Sequence, residues 1–156
     1  MIYFGKFTLF ILCLLLSLFL TGCLKIYTHS PDLAACTGLN FLNTLLIKQD
    51  VSKAYILADD ALKAVAPQSK VKPFIVSMHP RYFPITLKPA IYEVIPGQNL
   101  INIYYLGQNK DENFIYRVQL IGDITTKYKV FAFFRQSNLP KTSSMVFDMA
   151  TPTCTN

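Results

Sequence analysis

Apolar and polar positions fall into three successive regimes along the chain. The first is an uncharged run from Phe7 to Gly22, rich in Leu and Phe. The second has helical spacing. Ser30-Pro31-Asp32 reads as a helix entrance: Ser30 can cap, Pro31 suits the first helical position, and Asp32 complements the N-terminal dipole. The spacing predicts a helix from about Pro31 to Lys48, with Leu39, Leu42, Leu45 and Leu46 on one face and Phe41 beside it. Gln49-Asp50 breaks the pattern. Asp50 or Ser52 can cap a second helix reaching Ala66, with Tyr55, Ala58, Ala61, Leu62 and Val65 as its apolar stripe, and Pro67 ends it. Two helices joined by so short a break must turn back on each other.

The third regime has strand character. Prolines 73, 80, 84, 89 and 96 punctuate short β-branched and aromatic runs at Phe74–Ser77, Tyr82–Leu87 and Ile91–Ile95. Longer strands are predicted at Leu100–Leu106, Phe114–Ile121 and Tyr128–Arg135, and a short one at Met145–Met149. In the strand from Phe114, the face of Phe114, Tyr116, Val118 and Leu120 opposes Ile115, Arg117, Gln119 and Ile121. In the next, Tyr128, Val130, Ala132 and Phe134 oppose Lys129, Phe131, Phe133 and Arg135. Short loops make these an antiparallel meander. Both faces carry aromatics, more than two short helices can cover. The expected class is α+β: an N-terminal helix pair packed on a curved antiparallel sheet.

The first regime ends at Leu20-Thr21-Gly22-Cys23. A short n-region with Lys6, an apolar core and small residues before the cysteine make the order of an export signal. The segment resembles the lipobox of bacterial lipoprotein signal peptides. The resemblance implies cleavage before Cys23 and a diacylglycerol on that thiol. The alternative is an uncleaved anchor; the run, about 16 residues, is slightly short of the ~20 a spanning helix needs. On this reading residues 1–22 are a leader, 23–32 a lipidated tether and 33–156 one domain. Leu24 is not the aspartate associated with inner-membrane retention, so the resemblance favours the periplasmic face of the outer membrane.

Of four cysteines, Cys13 leaves with the leader and Cys23 is acylated. Cys36 and Cys154 remain, an even number in an oxidising compartment. A bridge between them would close nearly the whole domain and stabilise it by about 4–5 kcal/mol on the chain-entropy model. The alternative is two unpaired thiols. These cysteines, His29 and His79 lack metal-ligand spacing, and no cofactor is indicated. The net charge is +6, and its positives are scattered. No basic run marks a nucleic-acid footprint. A mild positive field suits an anionic partner; a solvated basic surface is the plainer reading.

The paired segments Phe41-Leu42-Asn43-Thr44-Leu45-Leu46 and Ala54-Tyr55, followed by an antiparallel sheet, resemble the nuclear transport factor two-like (cystatin-like) superfamily over about residues 33–150. That likeness implies a cystatin-like roll with helices on the concave side of the sheet and a pocket between them. Catalytic members need an acid/base pair inside the cone, and the meander shows no such couple. Ser143-Ser144, His79 and Asp148 have no Gly-x-Ser-x-Gly elbow around them. Asp59 and Asp60 diverge by about 100 degrees on a helix.

His79-Pro80-Arg81-Tyr82-Phe83-Pro84 sets a cation and two aromatics between prolines that restrict the backbone. Arg and rigid aromatics are favoured interface anchors. The predicted binding residues are Arg81, Tyr82 and Phe83, with Tyr105 and Phe133 as support from the sheet. Three functions follow in order: a lipoprotein that binds a protein partner in an envelope assembly such as a secretion or surface apparatus, a small-ligand-binding protein, and an enzyme of that superfamily.

Overall fold

The computed structural model describes residues 27–141, 146–150 and 152–154. The leader, Cys23, Ser143 and Ser144 lie outside the described residues. Helix α1 spans Pro31–Leu42; the Ser30 side chain caps it by accepting from the Leu33 amide at 3.4 Å, with Pro31 in the first turn. It runs on into a π-helical segment, Asn43–Ile47. There the Lys48 amide donates to the Asn43 carbonyl at 2.9 Å. The wider turn keeps Phe41, Leu42, Leu45 and Leu46 all buried.

The second predicted helix is two. Helix α2, Val51–Ile56, is capped by Asp50, which accepts from Lys53 N at 3.0 Å. Helix α3, Asp60–Val65, is capped by Asp59, which accepts from Ala61 N at 2.9 Å. The chain opens at Leu57–Asp59 because those residues pair like a strand with Val130: Asp59 N donates to Val130 O at 2.8 Å, and Val130 N to Leu57 O at 2.9 Å. Two backbone bonds to the sheet replace a turn of helix. Asp59 is thus a cap, and Asp60 pairs with Lys63 at 3.0 Å on the surface. The Tyr55 hydroxyl lies 3.1 Å from the carbonyls of both Lys63 and Ala66, tying α2 to the end of α3.

The run Phe74–Ser77, predicted to have strand character, is helical. It lies in helix α4, Gln68–Met78, despite Pro73 inside it. Pro73 and the β-branched residues lower helix propensity. Burial overrides them: Ile75 is in the core and Val71 and Met78 pack against it, at the i, i+4, i+7 spacing of one helix face.

The strands are β1 Thr86–Val94, β2 Leu100–Gln108, β3 Asn113–Ile121, β4 Lys129–Gln136 and β5 Val146–Asp148. They form one antiparallel sheet in the order β4-β3-β2-β1-β5, with β4 and β5 as unjoined edges. The architecture of the described residues is α+β, helices followed by an open five-stranded antiparallel sheet, with four helices rather than a pair. β1 takes in only Thr86 and Leu87 of the run predicted from Tyr82, whose earlier residues form a loop, and joins them across Pro89 to the run from Ile91; its register with β2 shifts before Ile91. Proline fits there because β5 pairs only with Ile91–Glu93.

Helix α1 lies across β1 to β4. The face it covers carries Ile101, Ile103, Tyr105, Phe114, Tyr116, Val118, Leu120 and Val130, all buried. β3 alternates as predicted. β4 does not, because Phe131 is an extra residue: Leu120 faces Val130 while Gln119 faces Ala132. This bulge moves Phe133 and Arg135 to the helix side and Ala132 and Phe134 to the other.

Tyr105 fixes helix to sheet. It is fully buried, and its hydroxyl donates to the Ala35 carbonyl at 2.8 Å. The Leu39 backbone bonds to the same oxygen. Burial pushes the phenol well above its usual range. A Cβ at position 38 would stand 2.2 Å from that oxygen, so glycine there is a packing requirement.

Cys36 and Cys154 stand at disulfide distance, with Cα atoms 5.4 Å apart and a sequence separation of 118. The bridge ties the C-terminal end of the chain to α1.

Two stability outcomes are expected. Gly38→Ala should destabilise the domain by about 1–3 kcal/mol through overpacking. In a double-mutant cycle it should be non-additive with Tyr105→Phe, which removes the clashing oxygen. Urea unfolding of the three variants measures this. Cys36→Ser with Cys154→Ser should cost up to about 4–5 kcal/mol; an unchanged melting midpoint in reductant would contradict the bridge.

Candidate binding groove

The five residues predicted to bind do not form one site. Arg81 and Tyr82 are exposed, Tyr82 at 44 %, on the loop between α4 and β1. That loop is pinned to the β2–β3 hairpin: Asn109 Nδ2 donates to Phe83 O at 2.7 Å, and Ile85 N to Gln108 O at 2.8 Å. Phe83 turns inward and packs on His79, ring centroids 5.0 Å apart. Tyr105 is a core residue locked to α1 and offers a partner no surface. Phe133 lies between Phe41 and Phe74, at 5.4 and 5.9 Å, as the floor of a groove elsewhere.

His79 is the buried centre of the pinned end. Its Nε2 is 3.1 Å from the Tyr116 hydroxyl, and the Tyr82 backbone is a further polar neighbour of the ring. Arg135 closes the cluster. It stacks over Phe114 at 4.9 Å, donates to Met78 O at 2.6 Å, and pairs with Glu112. Burial, helped by the Arg135 charge, holds the His79 imidazole below its ordinary range; the Tyr82 backbone and Glu112 oppose this weakly. Burial raises the Tyr116 phenol. A neutral His79 accepting from Tyr116 is a structural polar pair here.

The groove runs between α3, α4 and β4. It has a volume of about 560 Å³, and Leu62, Val65, Phe74, Phe133 and Phe134 line it, with Lys70 also on the wall. Val65 is 80 % exposed, Phe74 50 % and Phe134 43 %. Large apolar side chains gathered in one concave place mark an interaction site more strongly than scattered ones do. The bulge at Phe131 shapes the groove's sheet wall, since it puts Phe133 rather than Phe134 on the helix side of the edge strand. Beyond Val130, the outer edge of β4 makes no backbone hydrogen bond among the described residues.

The signal for the groove was present in the apolar stripe of Leu62 and Val65, longer than so short a helix can bury. Phe74 was hidden by the strand-like reading of its run, and Phe134 by the bulge.

The sheet face away from the helices carries a polar cluster. Glu93 accepts from Asn102 Nδ2 at 2.8 Å and from the Tyr104 hydroxyl at 3.2 Å. Arg117 stacks over Phe134 at 4.7 Å. Burial, then Glu93, raises the Tyr104 phenol, so the cluster keeps one carboxylate among donors. Among the described residues, no three His, Cys, Asp or Glu gather as metal ligands, and no helix is long and apolar enough to cross a membrane.

Comparison with protein-family models, curated proteins and solved structures finds no match for this chain.

The depressed His79 gives a pH signature. Between its folded value and about 6.5, the ordinary histidine value, the unfolded chain binds the proton and the folded chain does not. Its contribution to stability is therefore present above that range and lost as pH falls. Melting midpoints should drop from pH 7.5 to 5.0 by more in the wild type than in His79→Gln, which keeps a neutral acceptor for Tyr116. Parallel pH profiles would show that His79 does not titrate this way.

Proposed function

We propose that the chain is a lipoprotein anchored through Cys23 at the periplasmic face of the outer membrane, where it acts by binding a protein partner in an envelope assembly. The observation that carries the binding role is the apolar groove beside β4. An extended segment of a partner laid along the β4 edge would pair with its backbone and send an apolar side chain into the groove, the recognition mode of strand addition. Val65, Phe74 and Phe134 replace Phe83 and Tyr105 as the anchors; Arg81 and Tyr82 remain an exposed second contact. The lipobox-like Leu20-Thr21-Gly22-Cys23 supports the anchoring. We also infer a cystatin-like roll, on the support of a long helix lying across an open meander.

A second reading is favoured by the groove's dimensions. At about 560 Å³ and with mostly apolar walls, it falls in the size range of small-ligand sites. An apolar small molecule would then be the ligand.

Affinity purification of the full chain from detergent-solubilised membranes tests both. The wild type should retain a protein partner. Val65→Glu adds a charge at an already exposed position, so it should fold normally and weaken that partner about thirtyfold, as loss of a ~2 kcal/mol anchor does. Equal retention by the variant rejects the groove as the contact. A co-purifying small apolar molecule, with no protein, favours the second reading. Separately, Cys23→Ser should abolish fatty-acid labelling, and label persisting in that variant would remove the anchor.

A further inference from the structure

The first described residues are fastened to one end of the sheet. Ile124 N donates to Thr28 O at 3.1 Å, and Ser30 N donates to the Tyr128 hydroxyl at 2.8 Å. His29 lies 3.3 Å from that hydroxyl and 3.4 Å from the Gln98 carbonyl. Tyr27 is only four positions beyond Cys23 in the sequence, a reach of at most ~14 Å for an extended chain. A lipid on Cys23 therefore holds the turns at 95–99 and 122–128 close to the bilayer.

The turn between β3 and β4 is built rigidly. Asp123 accepts from the amides of Thr125 and Thr126, both at 2.9 Å, and from their hydroxyls at 2.7 and 3.0 Å. These bonds, that of the Thr125 hydroxyl foremost, hold its carboxyl far below the usual range. Gly122 takes φ +126° where the turn closes on Lys127. At the tip this leaves Ile124, 55 % exposed, with Lys127 exposed on the same turn. An apolar tip beside a cation is the chemistry of interfacial membrane contact: the aliphatic group enters the headgroup region and the ammonium meets phosphates.

We propose that the Gly122–Tyr128 turn is a membrane-docking surface, with Ile124 inserted into the headgroup region of a phospholipid bilayer and Lys127 against its anionic phosphates. This rests on the lipoprotein reading and adds a fixed orientation to it. The domain stands on this end, and the opposite end, with the loop of Arg81 and Tyr82, points away. The two ends are separated by the nine-residue β2, roughly 30 Å.

The chain contains no tryptophan, so a single one reports its own surroundings. Ile124→Trp and Ile85→Trp, each in the full acylated chain, would be reconstituted into phosphatidylethanolamine/phosphatidylglycerol vesicles with brominated acyl chains. Ile85 is also exposed, at the opposite end. The tryptophan at 124 should shift to the blue and lose about half its emission, because an interfacial group sits ~5–10 Å into the headgroup boundary. The one at 85 should do neither. Amide exchange in the unsubstituted chain is a second measure: the 123–127 amides should slow in vesicles relative to detergent. Vesicle-bound protein with an unquenched tryptophan at 124 and unchanged exchange overturns the docking surface and leaves the anchor intact. Protein that does not float with the vesicles overturns the anchor, and the docking surface with it.

Discussion

The Tyr105 hydroxyl sets the position of the main helix on the sheet. Its oxygen stands between the Ala35 carbonyl and the Leu39 backbone, four residues apart and so one turn of helix. This is possible only because Gly38 removes the side chain that would occupy the same space. One central strand thereby fixes both the height and the rotation of α1. Phe41, Leu42, Leu45 and Leu46 then fall on the sheet, and the π-helical turn keeps the last two buried. The Cys36–Cys154 contact secures the same helix to the C-terminal end of the chain.

Two irregularities in the sheet decide what its edges present. The shift at Pro89 lets β1 pass a residue that cannot donate, and keeps its later half regular for β5. The bulge at Phe131 breaks regularity instead: it turns aromatic side chains out of a simple alternation and brings Phe133 under Phe74. The two ends of the sheet also differ in chemistry. One is closed by a neutral histidine, a tyrosine and an arginine–glutamate pair. The other is closed by a carboxylate wrapped in threonine bonds.

Local signals made much of this architecture legible. Ser30-Pro31 marked the start of α1 because capping chemistry is short-range. The apolar run before a polar turn placed β2, and the period-2 pattern placed β3, each within about two residues. The hidden parts were those governed by distant contacts. Nothing near Leu57–Asp59 announces that Val130 will open the helix there. Pro73 and its β-branched neighbours argue against helix, and only Ile75, Val71 and Met78 meeting the core reverses that. The bulge at Phe131 shifts every later side chain of β4 by one face. That is why Phe133 and Arg135 fall opposite Val130 in the sequence pattern, and why the groove could not be read from it. Tyr105 is hidden for a related reason: an aromatic on a strand gives no sign of the distant Gly38 that receives it.

The bond pair joining Leu57 and Asp59 to Val130 also has a bearing on assembly. An uncovered strand edge invites endless lateral growth, chain upon chain, the route to fibres. Here one terminus of that edge is already plugged by the protein's own backbone. Any visiting strand must halt at Val130, so its alignment is set by a hard stop and its length is capped at the few residues from Phe131 to Gln136. The plug shortens the open border to the six residues from Phe131 to Gln136, too short a stretch to seat a long strand.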